Sequence, residues 1–309
     1  GIKLRDAYFK YQLSKLGESY IQAGLFKIPF GYHMLYSSSR RETPEGPRVL
    51  SPLFVNSRDL GGLLALQASK HSKWHKFRLK AGVFSGNGVS SDMDNKKDFI
   101  LRLETMPFEI KSMQFSGGAS YYKGYTFQST ENVYRMQGGE FVLDARDMHK
   151  NSYASRDLYG LDFQWFFQTY LGRTKFFAEY FSGTQVGTLK DSQSRSTAKL
   201  IDSDTYIRDF NGGLVSLVQS IGGSPFAVMT MYDWYDPNTK LSKNQIGQGY
   251  SGAGDIAYAT FGAGFLWEKD NFRIQAYYDW VKNEKTPHLE AYKSDRKDNK
   301  FTLRTQLKF

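Results

Sequence analysis

A transmembrane antiparallel β-barrel is the fold class that this 309-residue, all-β sequence predicts. Apolar and polar side chains alternate in runs near the roughly 9–11 residues that a tilted strand needs to cross a bilayer. Aromatic residues make up 16% of the chain, and they favour both strands and the interfacial belts of membrane proteins. Short and long connections alternate between the runs, which is typical of the two ends of an outer-membrane barrel.

The last strand shows the alternation most clearly. Residues 301–309 place Phe, Leu and Thr on one side of an extended chain and Thr, Arg, Gln and Lys on the other, because successive side chains of a strand point to opposite faces. The apolar face suits lipid and the cationic face suits a water-filled lumen. The terminal Phe309 resembles the assembly signal of outer-membrane proteins as a class.

Thirteen runs are predicted as strands. They cover residues 3–13, 19–27, 59–69, 75–84, 98–106, 111–123, 157–168, 174–182, 212–221, 225–235, 255–267, 272–282 and 299–309. Single-chain bacterial barrels have an even number of strands, and counting back from a periplasmic last residue places Gly1 at the extracellular end. We therefore expect 16 strands, with three before Gly1, unless one strand within the chain was missed or split.

Composition excludes several other classes of protein. No stretch approaches the roughly 18 consecutive apolar residues of a transmembrane helix. The chain contains no Cys, so a disulfide framework and a thiolate site are excluded. The formal net charge is +10, but Lys and Arg are spread through alternating strands instead of being gathered on one helix or tail. No nucleic-acid partner is expected for that reason.

Motifs that would indicate catalysis or a bound cofactor are missing from the sequence. The five histidines show no metal-ligand spacing, and there is no nucleophile elbow, phosphate-binding loop or dinucleotide fingerprint. We therefore predict that the chain is not an enzyme and that it holds no metal and no cofactor.

Five segments of the first third of the chain resemble the phosphate-selective porin O and porin P family, in that family's order. They are LRDAYFKY (4–11), GLFKIPFG (24–31), SRDLGG (57–62), AGVFSGNG (81–88) and LRLETMPF (101–108). The resemblance implies a 16-stranded barrel that forms homotrimers and carries phosphate. It also implies that residues 28–58 fold inward as a constriction loop.

Residues 28–58 hold Arg40, Arg41 and Arg48, with Arg58 at the end of the segment. The planar guanidinium fork matches phosphate or carboxylate oxygens, so these four arginines are the predicted anion pathway. Two acids of the same segment, at positions 42 and 45, offset part of this charge. The alternative is an exposed loop that pairs its own charges or binds anionic lipopolysaccharide.

The more apolar face of each strand is assigned to lipid. Seven basic residues then line the lumen: Lys10, Arg78, Lys80, Arg102, Arg273, Lys300 and Arg304. With Lys76, Lys175 and Lys308 they outnumber the inward acids Asp6, Glu104, Asp162, Glu179 and Asp279, and a net positive lumen favours anions. The alternative is that these cations balance acids in a packed network that only stabilises the barrel.

Together these observations predict one domain over residues 1–309, located in a bacterial outer membrane and acting as a porin for small, phosphate-like anions. Its expected partners are the permeating anions, outer-membrane lipid or lipopolysaccharide, and two further copies of the chain. The competing hypotheses are a non-conducting barrel that serves as scaffold or partner subunit in an envelope complex, a barrel enzyme, and a soluble all-β binding protein.

Overall fold

The computed structural model describes residues 5–13, 17–54, 57–89, 95–193 and 203–308. Within them the chain forms 16 strands, one short α-helix and four single-turn 3-10 helices. The strands are β1 (Ala7–Gln12), β2 (Tyr20–Lys27), β3 (Arg58–Gln67), β4 (Phe77–Phe84), β5 (Asp98–Thr105), β6 (Phe108–Ile110), β7 (Met113–Gln128), β8 (Asn132–Gln137), β9 (Glu140–Ala145), β10 (Ser152–Thr169), β11 (Gly172–Gly187), β12 (Thr205–Ser220), β13 (Phe226–Asp236), β14 (Tyr258–Lys269), β15 (Phe272–Asn283) and β16 (Lys300–Leu307). The helix is α1 (Leu50–Leu53), and no described helix is long and apolar enough to cross a membrane.

Thirteen strands form one continuous meander, in the order β1-β2-β3-β4-β5-β7-β10-β11-β12-β13-β14-β15-β16. Neighbours along this path are antiparallel, so the predicted all-β fold and its 13 strands are confirmed. β1 and β16 are the two ends of the pairing order, and no register joins them within the described ranges. The three expected additional strands concern residues before Gly1 and stay a prediction, and Phe309 lies outside the described residues.

Three short strands lie off this path. β6 pairs with β7 next to a turn, while β8 and β9 form a hairpin within the long connection between β7 and β10. β8 also pairs in parallel with the first residues of β12. None of the 13 runs predicted as strands covers this hairpin, so the structure adds two strands to the expectation.

The two faces of the sheet differ in the way that the alternation predicts. On β10, Leu161 and Phe163 are exposed, whereas Asp162 and Gln164 are buried. The register aligns Leu161 with Tyr180 of β11 and with Ala119 of β7, so that apolar side chains continue across neighbouring strands. An exposed apolar face opposite a buried polar face is the arrangement of a membrane barrel.

Four strands in the middle of the chain are longer than predicted. β7, β11 and β12 each have 16 residues and β10 has 18, whereas β4 and β5 have only 8. The additional residues lie at the ends next to the long connections. The long strands therefore raise the wall of the barrel on the extracellular side of the sheet.

Residues 28–57, the inner loop, connect β2 to β3, and residues 55–56 of it lie outside the description. Phe30, Val49 and Leu53 of the inner loop have no exposed surface. They pack in one apolar cluster with inward side chains of the wall, including Leu158 and Phe181. The inner loop thus lies against the inner face of the sheet, and its own short helix α1 forms part of this contact.

Candidate functional site

Glu179 of β11 holds the first turn of the inner loop. Its carboxylate accepts backbone N–H groups from Tyr32 at 2.9 Å and from His33 at 2.8 Å. The imidazole Nδ1 of His33 lies 2.5 Å from Oε1 of the same carboxylate, with both side chains almost fully buried. Because one carboxylate receives three contacts, the loop is fixed to the wall at this position.

Backbone carbonyl groups of the inner loop accept further hydrogen bonds from polar side chains of the wall. Arg156 donates to Leu53, Gln185 to Pro52, Arg273 to Ser39 and Arg41, Gln275 to Arg41, and Arg304 to Pro44 and Ser38, at 2.8–3.3 Å. These donors come from four strands, β10, β11, β15 and β16. The loop is therefore attached along most of its described length.

The two acids of the inner loop pair with lysines of the wall. Glu42 accepts an ion pair from Lys175 of β11 at 2.5 Å, and the Tyr36 hydroxyl also donates to it at 3.1 Å. Glu45 pairs with Lys300 of β16 at 2.5 Å. The path of the loop brings these acids closest to wall lysines, and their charge also acts on the neighbouring Arg41.

A cationic cavity of about 350 Å³ lies between the inner loop and the loop-side ends of β1–β3. Four basic residues line it, namely Arg5, Lys27, Arg41 and Arg58, and the lining includes no acid. Arg58 is neutralised by two hydrogen bonds of 2.9 Å to the carboxylate of Asp6. The other three cations form no ion pair within the described residues, so the cavity carries a local excess of positive charge.

Two lining residues of the cationic cavity are held by the inner loop itself. Lys27 Nζ donates to the carbonyl groups of Tyr36 at 2.9 Å and Leu35 at 3.3 Å, which fixes the ammonium group without neutralising it. Burial, followed by the neighbouring Arg304 guanidinium, lowers the pKa of Arg41 from its ordinary value. Desolvation and a neighbouring like charge both disfavour the charged form of a basic side chain. A bound anion would stabilise that form.

A comparison with protein-family models identifies the family of the chain. The family model described as "Phosphate-selective porin O and P" matches residues 1–181, more than half of the chain. The chain belongs to this family. The predicted resemblance, which rested on residues 4–108, is confirmed, and no curated protein matches the chain.

Solved structures show the same fold. The in-vitro folded form of OmpT, an outer membrane protein of Vibrio cholerae, aligns with a TM-score of 0.50 and 11% identity, covering 94% of this chain and 76% of that one. A trimer form of OmpT aligns with a TM-score of 0.50 and 10% identity, over 94% and 76% of the two chains. Together with the family match, these structural similarities show that the chain is a β-barrel channel protein of the bacterial outer membrane.

The remaining arginines of the porin's inner loop lie in different surroundings. Arg40 is exposed, and its side chain has no ion pair within the described ranges. Arg48 lies 4.6 Å above the ring of Tyr258, and its guanidinium is 3.7 Å from Asp298. Only Arg41 and Arg58, of the four predicted pathway arginines, come together in the cationic cavity.

Three predicted lumen cations belong to one compact ion-pair network. Arg102 bonds both Asp162, at 2.6 Å, and Glu104, at 2.9 Å. Lys80 lies 2.7 Å and Arg78 3.5 Å from the same Glu104. Because these side chains neutralise one another on the inner face, the geometry favours the alternative of a packed stabilising network for this group.

The other predicted lumen cations are also engaged. Arg273 and Arg304 donate to carbonyls of the inner loop, and Lys300 pairs with Glu45 of that loop. Lys10 lies 3.8 Å above the ring of Tyr20. Three of these four residues thus hold the inner loop instead of presenting an unpaired charge.

Sequence reasoning missed Arg5 and Lys27 as site residues. Lys27 was not among the predicted lumen cations, and only the return of the inner loop brings loop carbonyls to its ammonium group. The sequence marks these two residues only by their place at the end of a strand, Arg5 before β1 and Lys27 as the last residue of β2. No group of acidic and histidine side chains that could hold a metal ion occurs in the described parts of the chain.

Proposed function

We propose that this porin is a passive diffusion channel for small anions, phosphate among them, and that residues 28–58, which comprise the inner loop and Arg58, form its constriction. The observation that carries the proposal is the cationic cavity, where Lys27 and Arg41 have no ion pair with any residue that the structure describes. The family description, phosphate-selective porin, supports the same class of solute. In this proposal residues 1–309 act as one domain.

Electrostatics explains why a few unpaired cations are enough to attract a permeating anion. At a separation of 4 Å, attraction between unit charges is about 1 kcal/mol in bulk water and about 4 kcal/mol at an effective dielectric constant near 20. The cavity lies between these environments, because loop and strand ends surround it. An anion would thus be attracted there without being held tightly, which conduction requires.

Reversal potentials in a salt gradient test the proposal. Lys27→Gln and Arg41→Gln should each shift the reversal potential of purified channels in planar bilayers toward cation permeation, and the double variant should shift it further. Arg296→Gln, an exposed arginine on the extracellular connection before β16, is the matched control and should leave the potential unchanged. Unchanged potentials in all three variants would remove the cavity from the conduction path.

Partners of the channel follow from its place in the membrane. We infer a homotrimer, supported by the trimer form of the OmpT structure that shares this fold, and an outer surface covered by outer-membrane lipid and lipopolysaccharide. Chemical crosslinking in native membranes checks the number of copies. A single-copy species at every crosslinker concentration would contradict it.

One observation favours a second function, a non-conducting barrel that serves as a scaffold. The inner loop fills part of the interior with fully buried side chains, Phe30, Val49 and Leu53, and most inward cations are paired. Single-channel recording distinguishes the two functions, because a scaffold would give no conductance steps in either chloride or phosphate.

A further inference from the structure

A second cavity, of about 250 Å³, lies among the long connections of the extracellular side. It is formed between the turn of the β8–β9 hairpin and residues 241–251, which follow β13. Among the residues that the structure describes, its lining includes Glu140, Phe141, Gln245, Gln248 and Tyr250 and no Lys or Arg. The chemistry of this cavity therefore differs from that of the cationic cavity beside the inner loop.

Stacked aromatic rings form one wall of the second cavity. The Tyr250 ring lies 4.9 Å from Tyr134, which in turn stacks on Tyr206 at 4.4 Å. Phe141 meets the Tyr206 ring edge-on at 5.1 Å. Tyr250 is nonetheless 49% exposed, so a firmly supported aromatic surface is open to a ligand.

Polar groups of both hydrogen-bonding types surround this aromatic surface. The Gln245 side-chain oxygen accepts from the Ser242 backbone at 3.1 Å, which leaves the amide N–H groups of Gln245 as donors. The Gln248 side-chain nitrogen lies 2.6 Å from Nε2 of His288, which leaves the Gln248 oxygen as an acceptor. The Glu140 carboxylate has no ion pair within the described part of the chain and adds a second acceptor.

The connection that carries these groups is rigid. Successive turns are closed by backbone hydrogen bonds from Gln245 to Ser242, from Gln248 to Gln245 and from Ser251 to Gln248. Gly247 and Gly249 adopt positive φ angles of 88° and 55°, which glycine accepts without strain. A site with fixed donors and acceptors binds its ligand with a smaller loss of conformational entropy.

We propose that this second cavity is an extracellular binding site for a neutral, hydroxyl-rich ligand of the saccharide class. A sugar presents an apolar C–H face, which packs on an aromatic ring, and a rim of hydroxyl groups that both donate and accept hydrogen bonds. Tyr250 supplies the ring, Gln245 donates, and Gln248 and Glu140 accept. The absence of cations from the lining disfavours an anion, so the site is independent of the proposed conduction path.

Saturation-transfer NMR on the full chain in a detergent without a sugar headgroup tests this proposal. The probes are maltotriose, cellotriose and N,N′-diacetylchitobiose. At least one should bind through its C–H face, and Tyr250→Ala should weaken that binding by about tenfold, the loss expected for one aromatic contact. Tyr250→Trp, which keeps the ring, should retain binding and shows that a loss in Tyr250→Ala is not a folding defect.

Two controls separate this site from other sites on the molecule. Tyr170→Ala makes the same change at a tyrosine that is 94% exposed in a short turn, and Arg41→Gln alters the cationic cavity; both should bind the sugar as the wild type does. The proposal is overturned if none of the three sugars binds, if Tyr250→Ala binds equally well, or if Arg41→Gln abolishes binding. Binding of choline alone would assign a cation site and would also overturn it.

Discussion

The imidazole of His33 and the carboxylate of Glu179 join the inner loop to the wall of the barrel through a 2.5 Å contact between two buried side chains. The same carboxylate accepts the His33 backbone N–H at 2.8 Å. A buried carboxylate that receives several hydrogen bonds is costly to replace, since each donor left unsatisfied costs about 1–3 kcal/mol. This contact should therefore determine how firmly the inner loop is held.

Glu179→Ala should loosen the inner loop and leave the barrel folded. We expect larger and noisier conductance steps in planar bilayers, because a mobile loop narrows the lumen less. Glu290→Ala is a suitable control, since Glu290 is an exposed acid that pairs only with Lys293 three residues away. A conductance indistinguishable from that of the wild type would show that Glu179 does not limit the pore.

Removing one member of the ion-pair network should destabilise the barrel. Arg102→Met leaves Asp162 buried without its ion-pair partner and removes one of the three cations around Glu104, at a cost of about 3–5 kcal/mol. Unfolding in denaturant, followed by tryptophan emission in detergent, measures this loss. Arg146→Met breaks an exposed pair with Asp144 and should leave the midpoint unchanged, whereas equal midpoints for the two variants would refute a stabilising role of the network.

Most of the sheet could be predicted from the sequence, because alternation is a local property. All 13 strands of the meander were located. The predictions ended too early on β7 and β11 and began too late on β10 and β12. The missed residues lie next to the long connections, where apolar and polar side chains alternate less strictly along the sequence. The β8–β9 hairpin was missed because its pairing with β12 joins segments far apart in the chain.

The candidate site could be predicted only in part. Arg41 and Arg58 were identified from the arginine content of residues 28–58, and both line the cationic cavity. The pairing of Glu42 with Lys175 and of Glu45 with Lys300 depends on the path of the inner loop across the barrel. No local pattern encodes that path, so the unpaired state of Arg41 and the role of Lys27 could not be derived from spacing.

A fully buried ion pair should keep the extracellular connection after β13 folded against the barrel. Arg208 of β12 bonds Asp255 at 2.8 Å with both side chains inaccessible to solvent, and Asp255 also accepts from Asn238 at 2.7 Å. Asp255→Asn leaves a buried guanidinium uncompensated. We expect local opening of residues 237–257 without loss of the barrel.

Limited digestion with trypsin measures this opening. In Asp255→Asn, cleavage after Lys240 or Lys243 should become at least about tenfold faster. The reason is that the substitution should lower the free energy of local opening by more than about 1.4 kcal/mol. Asp298→Asn changes a partly exposed acid on the next long connection and serves as the control. Equal cleavage rates in the two variants would contradict the assigned role of Asp255.

The exposed apolar face itself can be tested by one pair of substitutions on a single strand. Leu161 is 61% exposed and lies on the same outward face of β10 as Ser155, which is also exposed. Tyr159 lies between them on that face. In a water-soluble protein, arginine at either position would be tolerated, since both side chains would meet water.

In a membrane barrel the two substitutions should differ strongly. Arginine on the lipid face costs about 2–4 kcal/mol near the bilayer midplane and about 0–1 kcal/mol near the interface. Leu161→Arg should therefore make folding into lipid vesicles less favourable by about 2–4 kcal/mol. Ser155→Arg should change the free energy of folding little. Because the two variants introduce the same side chain on the same face, equal stabilities would mean that Leu161 does not lie in the hydrocarbon layer.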